Sequence, residues 1–336
     1  MRGLSAVTPY QGAIKCGSHF ETACQKTAFF ANFPIFYQDF DIFITNFRMP
    51  TNGKPTGRLT VTMPDEKSAP KPFLRWAGGK QWLIRDIVNY LPKKFNAYHE
   101  PFLGGGSVFI HLKAQGLITG ESILSDLNRD LINSYVIVRD DVQTLIKRLR
   151  GFKNEEAFYY DIRSKKPHSD VGRAAQFIFL NRTSYNGIYR VNLQGEYNVP
   201  FGRKNYLQLF DFDNLISLSA LFNDSYFHQQ DFYSSLDFIS KGDLVFLDPP
   251  YTVAHEHNGF VKYNQKIFQW ADQERLRDYI ETIKDRKAHF ILTNAAHQSI
   301  EKLYRGVGKK FVLTRNSVIG GKFAKRDRYR EFLFVS

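Results

Sequence analysis

From residue 72 onward, short uninterrupted apolar runs alternate with longer stretches whose apolar positions recur at helical spacing. Ala97–Glu100, Ser122–Ser125, Ser225–His228, Asp243–Leu247 and His289–Asn294 read as strands. The run Leu244-Val245-Phe246-Leu247 has no polar alternation, which suits a parallel strand covered on both faces. Helical patterns lie between them: Trp82, Leu83, Ile87, Tyr90 and Leu91 before Pro92, then Val108 to Ala114, Asp130 to Arg150, Arg173 to Leu180 and Asp272 to Lys284. Phe311–Thr314 and Arg330–Val335 read as a closing antiparallel pair, with basic Lys322, Lys325, Arg326 and Arg328 between them. Strands alternating with helices predict an α/β sheet.

The rhythm breaks in two places. Residues 1–62 crowd Phe29, Phe30, Phe33, Phe36, Phe40, Phe43 and Phe47 into one segment, followed by Pro50, Gly53, Pro55 and Gly57. The phenylalanine spacing could mark an amphipathic helix, but Pro34, Asn32, Asp39 and Asp41 dilute it. This extension is expected to be disordered or to arise from a mis-assigned start, with Met63 as the true one, and to be dispensable. Residues 146–224 form the second break, a helical and loop-rich insert dense in Arg, Asn and Tyr. The expected organisation is therefore a two-part catalytic domain, 63–145 and 225–336, interrupted by the insert.

Charge adds a partner to this picture. The 336-residue chain carries a net charge of +13, which points to a polyanion such as nucleic acid. Removing the extension's six Lys/Arg and three Asp/Glu from totals of 46 and 33 leaves a basic surplus of ten. Cys16 and Cys24 are the only cysteines and form no CxxC pair, so neither a zinc site nor a disulfide framework is expected. His255 and His257 lack an evident third ligand and read as loop residues; no metal is expected. No apolar run reaches the length of a membrane span and no signal-peptide pattern is present, so a cytoplasmic, monomeric protein is expected.

Candidate chemistry gathers where strands end. Pro101-Phe102-Leu103-Gly104-Gly105-Gly106 follows a strand and opens a helix, as nucleotide cradles do, although the spacing is not GxGxxG. Asp126 ends the next strand, 20 residues beyond Gly106, where Rossmann-like folds place a ribose-binding acid. A helix cap is the alternative role for it. Gly78-Gly79 just before a helix would favour an anionic ligand, with Lys80 adding charge and Trp76 covering a flat ring; a plain glycine turn is the commoner use of such residues. Asp248-Pro249-Pro250-Tyr251 closes the apolar strand, and its prolines stop the ladder. A rigid carboxylate, a carbonyl and a stacking ring suit a planar amino group, while a proline turn is the bland reading. The polar stretch Thr252 to Phe268 is a candidate lid.

Taken in order, WAGGK (76–80), EPFLGGGSVF (100–109), DLNRDLI (126–132), LNRTSYNGIYRVN (180–192), EYNVPFG (196–202) and DPPY (248–251) resemble the Dam-type, or D12-class, DNA adenine-N6 methyltransferases. The resemblance runs from about Pro72 to the C-terminus. It implies a Rossmann-like S-adenosylmethionine-dependent methyltransferase sheet with an inserted target-recognition domain, S-adenosylmethionine as methyl donor, and adenine in double-stranded DNA as substrate. By position, Trp76, Lys80, Phe102, Gly104, Gly106, Asp126, Asp231 and Asp248 belong to the cofactor site. Asp248, Pro249, Pro250 and Tyr251 form the catalytic motif. Tyr185, Asn186, Ile188, Arg190 and Pro200 fall at base-reading positions of GATC-specific members, and Arg203 closes the DNA-binding set. The residues after Asn294, Ala295-Ala296-His297, depart from the pattern, as does a shorter C-terminal basic stretch. Two rivals remain open: an RNA adenine methyltransferase, and a catalytically silent DNA-binding regulator. An orphan enzyme, a phage protein and the protective half of a restriction–modification pair all fit equally.

Overall fold

The structure, a computed structural model, describes residues 69–192, 194–206, 208–252, 268–316 and 328–336. All of these belong to the unit Pro64–Ser336 into which the chain divides after Met63. The extension 1–62, the 253–267 stretch with His255 and His257, and Lys322, Lys325 and Arg326 lie outside the described residues.

The first part of the chain runs α1 (Ile84–Ile87), β1 (Tyr98–Glu100), α2 (Ser107–Ala114), β2 (Ser122–Asp126) and α3 (Arg129–Asp140). Next come α4 (Val142–Leu149), α5 (Glu156–Ser164), α6 (Asp170–Thr183) and α7 (Phe212–Leu221). The chain then returns to the sheet with β3 (Ser225–Gln229), β4 (Leu244–Leu247), α8 (Trp270–Asp285), β5 (His289–Ala295), α9 (Gln298–Leu303), β6 (Lys309–Asn316) and β7 (Arg328–Val335). Seven strands form one sheet in the order β3-β2-β1-β4-β5-β7-β6. The first five are parallel, and β7 lies antiparallel between β5 and β6. This is the expected α/β, Rossmann-like, mostly parallel sheet, and its strand order reverses between β1 and β4. Open α/β sheets bind ligands in the crevice at such a reversal.

The unbroken apolar run of β4 has a direct explanation. Leu244 and Phe246 join a core with α2, α3 and the helices of the insert, while Val245 and Leu247 join a second core with α8 and α9. Both faces are covered, so no position is left for a polar side chain. Burying each such Leu or Phe contributes about 1.5–3 kcal/mol.

Two helical expectations change in detail. The segment after Trp82 makes only the short α1 and one 3-10 turn, Val88–Tyr90, before Leu91 goes extended ahead of Pro92. The stretch from Asp130 to Arg150 is two helices, broken at Asp141 (φ −144°, ψ 48°). Asn128, not Asp126, caps α3: its Oδ1 accepts from the backbone N–H of Asp130 and of Leu131, both at 3.1 Å. Residues of the insert, Leu149, Tyr159, Phe177, Phe179 and Leu218 among them, are buried in the same core as Tyr98 and Leu124 of the sheet. The segment 146–224 thus packs directly on the sheet.

Candidate active site

Four adjacent parallel strands present their carboxyl ends side by side, and each delivers a residue of interest just past that end. In sheet order these are Asp231 after β3, Asp126 at the end of β2, the Phe102–Gly106 loop after β1 and Asp248 after β4.

The glycine loop is held in a tight cradle. Gly104 (φ 47°) and Gly106 (φ 62°) are left-handed, a region that favours glycine. A Cβ on Gly104 would lie 2.7 Å from Trp76 Cδ1, and one on Gly106 would lie 2.7 Å from the Tyr135 hydroxyl. Tyr135 donates to the Gly104 carbonyl at 3.1 Å. The Asp126 carboxylate latches the same loop, accepting from Gly104 N–H at 3.0 Å and from Asn128 N–H at 2.9 Å. Burial pushes the Asp126 carboxyl up, and these N–H donors oppose the shift. The loop is clamped, with both the N–H and the carbonyl of buried Gly104 engaged.

Nearby rings and charges extend the cleft. Phe102 stacks on Phe232 with centroids 5.2 Å apart. Asp231 accepts from Tyr233 N–H at 2.9 Å and pairs with Arg275 at 2.8 Å. Trp76 stacks on Tyr189 of the insert at 5.6 Å and 22°, so one indole touches both the glycine loop and the insert.

At the end of β4 a compact charge cluster forms. Lys80 Nζ lies 2.6 Å from Asp248 Oδ1, 4.0 Å from Glu331 Oε2 and 5.0 Å from the Tyr251 ring centroid. Lys80 is itself fixed, its N–H reaching Ser107 Oγ at 3.2 Å and its ammonium donating to the Gly78 carbonyl at 2.9 Å. Thr293 of β5 donates to the same Asp248 Oδ1 at 2.7 Å, and the Tyr251 hydroxyl donates to Glu331 Oε2 at 2.6 Å. Burial pushes the Asp248 carboxyl up, while Lys80 and the Thr293 hydroxyl pull it down. With Oδ1 engaged twice, Oδ2 is the oxygen left to meet a substrate.

Glu100, at the end of β1, lies buried beside this cluster and accepts from the Tyr98 hydroxyl at 2.7 Å. Burial raises its carboxyl from 4.5 to about 8, with the Asp248 charge adding to the rise and the Tyr98 hydrogen bond opposing it. A carboxyl raised on folding stabilises the fold below its unfolded value, and that stability is lost as pH climbs through the folded value. Wild-type stability should therefore fall by roughly a few kcal/mol between pH 4.5 and about 8 on account of this group. Glu100→Gln should flatten that slope in thermal unfolding measured across the range, and parallel wild-type and variant curves would refute the assignment.

The remaining sequence-predicted residues sit on the insert. Tyr185 and Asn186 are exposed on a turn in which Asn186 (φ 56°) and Gly187 (φ 64°) are left-handed. Gly187 packs against Arg75, whose Cδ would lie 2.6 Å from an added Cβ. The turn is tied to the second loop by Tyr185 N–H to the Pro200 carbonyl at 2.9 Å, and the Tyr197 hydroxyl lies 2.7 Å from the Ile188 carbonyl. Tyr185, Asn186, Ile188 and Pro200 are thereby brought together. Arg190 is exposed and braced by Asn198, Nε to Oδ1 at 2.8 Å. Arg203 is exposed and pairs with Glu156 at 3.0 Å.

Glu331, Thr293 and Glu100 complete the cluster although motif reading had not placed them there. A carboxylate inside the apolar strand Arg330–Val335 was the available signal for Glu331. Glu100 directly precedes the glycine loop, a position equally visible in the sequence. Thr293 carried no local signal. Among the described residues no helix is long and apolar enough to cross a membrane, and no group of three or more His, Cys, Asp or Glu could hold a metal ion.

Residues 76–316 match the family described as D12 class N6 adenine-specific DNA methyltransferase. The Type II methyltransferase M.MjaIII of Methanocaldococcus jannaschii is 35% identical over 286 residues, covering 79% of this chain and 99% of that protein. M1.LlaDCHI of Lactococcus lactis subsp. cremoris, also a Type II methyltransferase, is 32% identical, covering 79% and 95%. The DNA adenine methylase of Escherichia coli K12 is 32% identical over 265 residues, covering 76% and 92%.

Proposed function

Since the chain belongs to the D12 class of N6 adenine-specific DNA methyltransferases, which methylate adenine in DNA from S-adenosylmethionine, we propose that its substrate is the adenine of GATC in duplex DNA, flipped out of the helix. The observation that carries this reading is Asp248: its Oδ1 is held by Lys80 and Thr293, and Tyr251 stands three residues on, at the strand end adjoining the glycine loop.

The left-handed glycine turn and the acids at the ends of β2 and β3 support a site for the cofactor here. Phe102, Gly104, Gly106, Asp126 and Asp231 would hold it, with Trp76 and Lys80 packed behind the loop. When bound, S-adenosylmethionine supplies a methyl group already activated by its positively charged sulfur. The chain's residues do the rest. The adenine amino lone pair is delocalised into the ring and is a poor nucleophile. Asp248 Oδ2 and the Pro249 carbonyl accept the two amino hydrogens, draw the nitrogen toward tetrahedral geometry and expose the lone pair. Pro250 contributes no N–H that would compete for that carbonyl, and it fixes the approach of Tyr251. Tyr251 stacks on the flipped base, offsetting an unpairing cost of a few kcal/mol. Once the nitrogen has become cationic its proton is acidic, so a weak carboxylate base suffices. The work is positioning and electrostatic stabilisation.

On the insert, Tyr185, Asn186, Ile188, Arg190 and Pro200 read the target, and Arg203 adds phosphate attraction that salt weakens. Mapping methylated adenines in DNA from cells expressing the protein tests the assignment: N6-methyladenine confined to GATC is expected, and another motif would overturn the specificity. Arg190→Ala should weaken discrimination by about 1–3 kcal/mol at one base position while leaving cofactor affinity unchanged. A pure loss of cofactor binding would contradict its base-reading role.

A further inference from the structure

We propose that Glu331, on the antiparallel strand β7, is a positioning residue of the methyl-transfer site, holding the Tyr251 ring in one orientation and the Lys80 ammonium against Asp248. The proposal rests on the catalytic reading of Asp248 and Tyr251 given above.

Glu331 is an anomaly for a sheet strand. It is 2% exposed, between the solvent-facing Arg330 and the buried Phe332-Leu333-Phe334 run. A carboxylate buried there is costly unless it is paired and hydrogen-bonded. A hydrophobic residue would serve the core as well or better, so the charge needs another use.

Its surroundings supply one. Side chains alternate across a strand, so Glu331 shares the face of Leu333, which belongs to the core on the α2 side. Lys80 lies on that side too, its N–H bonded to Ser107 at the start of α2. Glu331 Oε2 accepts the Tyr251 hydroxyl at 2.6 Å and stands 4.0 Å from Lys80 Nζ. The ammonium lies 2.6 Å from Asp248 Oδ1 and faces the Tyr251 ring. One carboxylate from β7 therefore fixes both ends of the substrate contact: the ring that would stack on the base, and the cation that holds Asp248 by Oδ1 and leaves Oδ2 to the substrate. A hydroxyl anchored at its tip cannot swing about Cα–Cβ without breaking that bond. The ring is thus oriented before the base arrives, and the cost of ordering it is met on folding. Misplacement of such a group by about an ångström can cost roughly a hundredfold in rate.

The test is a double-mutant cycle on the full chain with Glu331→Ala, Tyr251→Phe and the pair, joined by Glu331→Gln and Asp248→Ala. Values of kcat, KM for S-adenosylmethionine and Tm are measured for each. Glu331→Ala should lower kcat about 10- to 100-fold with KM for the cofactor within about threefold. Glu331→Gln, whose amide oxygen still accepts the hydroxyl, should recover most of that loss. Tyr251→Phe should lower kcat, and the double variant should fall no further than Glu331→Ala alone. A purely structural Glu331 would instead lower Tm with kcat intact, or give losses that multiply in the pair; either result overturns the proposal. If Glu331→Ala fails to fold, wild-type kcat in Tyr251→Phe overturns it by itself. An active Asp248→Ala variant would sink the catalytic reading underneath, whereas an inactive one with a multiplying cycle sinks only the role of Glu331.

Discussion

Asp248→Ala is expected to abolish methyl transfer, with a loss of at least about 10²–10³-fold in kcat, the scale seen when one preorganised stabilising group is removed. The loss has two sources: Oδ2 no longer accepts an amino hydrogen, and the lone pair stays in the ring. The alanine variant also deprives the buried Lys80 of its partner at 2.6 Å, although Glu331 remains at 4.0 Å. Asp248→Asn is therefore the cleaner companion. Its amide oxygen can still accept from Thr293 and Lys80, so fold and cofactor binding should survive. Its outward group becomes an NH₂ that donates where the substrate needs an acceptor, so catalysis should not survive. Labelled-methyl transfer measures the rate, and full activity in either variant would end the assignment.

Lys80→Met should produce the second large effect, with a pH signature of its own. Methionine keeps the volume of the lysine stem but removes the cation that opposes the burial of Asp248. Leaving an ionised carboxylate there costs about 3–5 kcal/mol, and protonation relieves the cost. The Asp248 carboxyl therefore rises further above its unfolded value. By linkage the variant is most stable at acidic pH and loses that stability as pH climbs through the raised value. Activity runs the other way, because only the ionised carboxylate accepts the amino hydrogen. The variant's kcat should be lower than the wild type's and should rise over a more alkaline range, the same range in which its stability falls. A kcat profile beside a pH series of thermal unfolding checks both limbs. Equal pH profiles in variant and wild type would show that Lys80 does not govern Asp248.

Much of this arrangement was readable before the structure. All seven strands were marked by their apolar runs. The β4 run shows why the reading worked: covering on both faces leaves a signal independent of any neighbour. Asp248, Asp126 and the glycine loop stood at strand ends, where sequence order alone places ligands. Other features depended on contacts between distant segments. Thr293 and Glu331 lie 45 and 83 residues beyond Asp248 and reach it, directly or through Lys80, only once β5 and β7 take their places. The break at Asp141 is likewise a tertiary choice. Its residues continue a helical pattern, but α3 and α4 each bury their own apolar stripe, and one straight rod would not pack both. Arg203, placed in the DNA-binding set, has a left-handed backbone (φ 49°) and pairs with Glu156, a partner 47 residues away that sequence order did not show.

The indole of Trp76 is lodged against the glycine loop and stacked on Tyr189, which lies between Ile188 and Arg190 of the proposed reading loop. Together with helices of 146–224 that share the core of the sheet, it means that, on the proposed reading, specificity would be edited rather than exchanged. Grafting a foreign segment there would disrupt the packing of Trp76 against the glycine loop as well. If the proposed reading holds, new target preferences should come from single replacements at the exposed Tyr185, Asn186 and Arg190, with the buried stem left alone. Lineages built on this plan should diversify their reading letter by letter, on a frame that resists modular swapping.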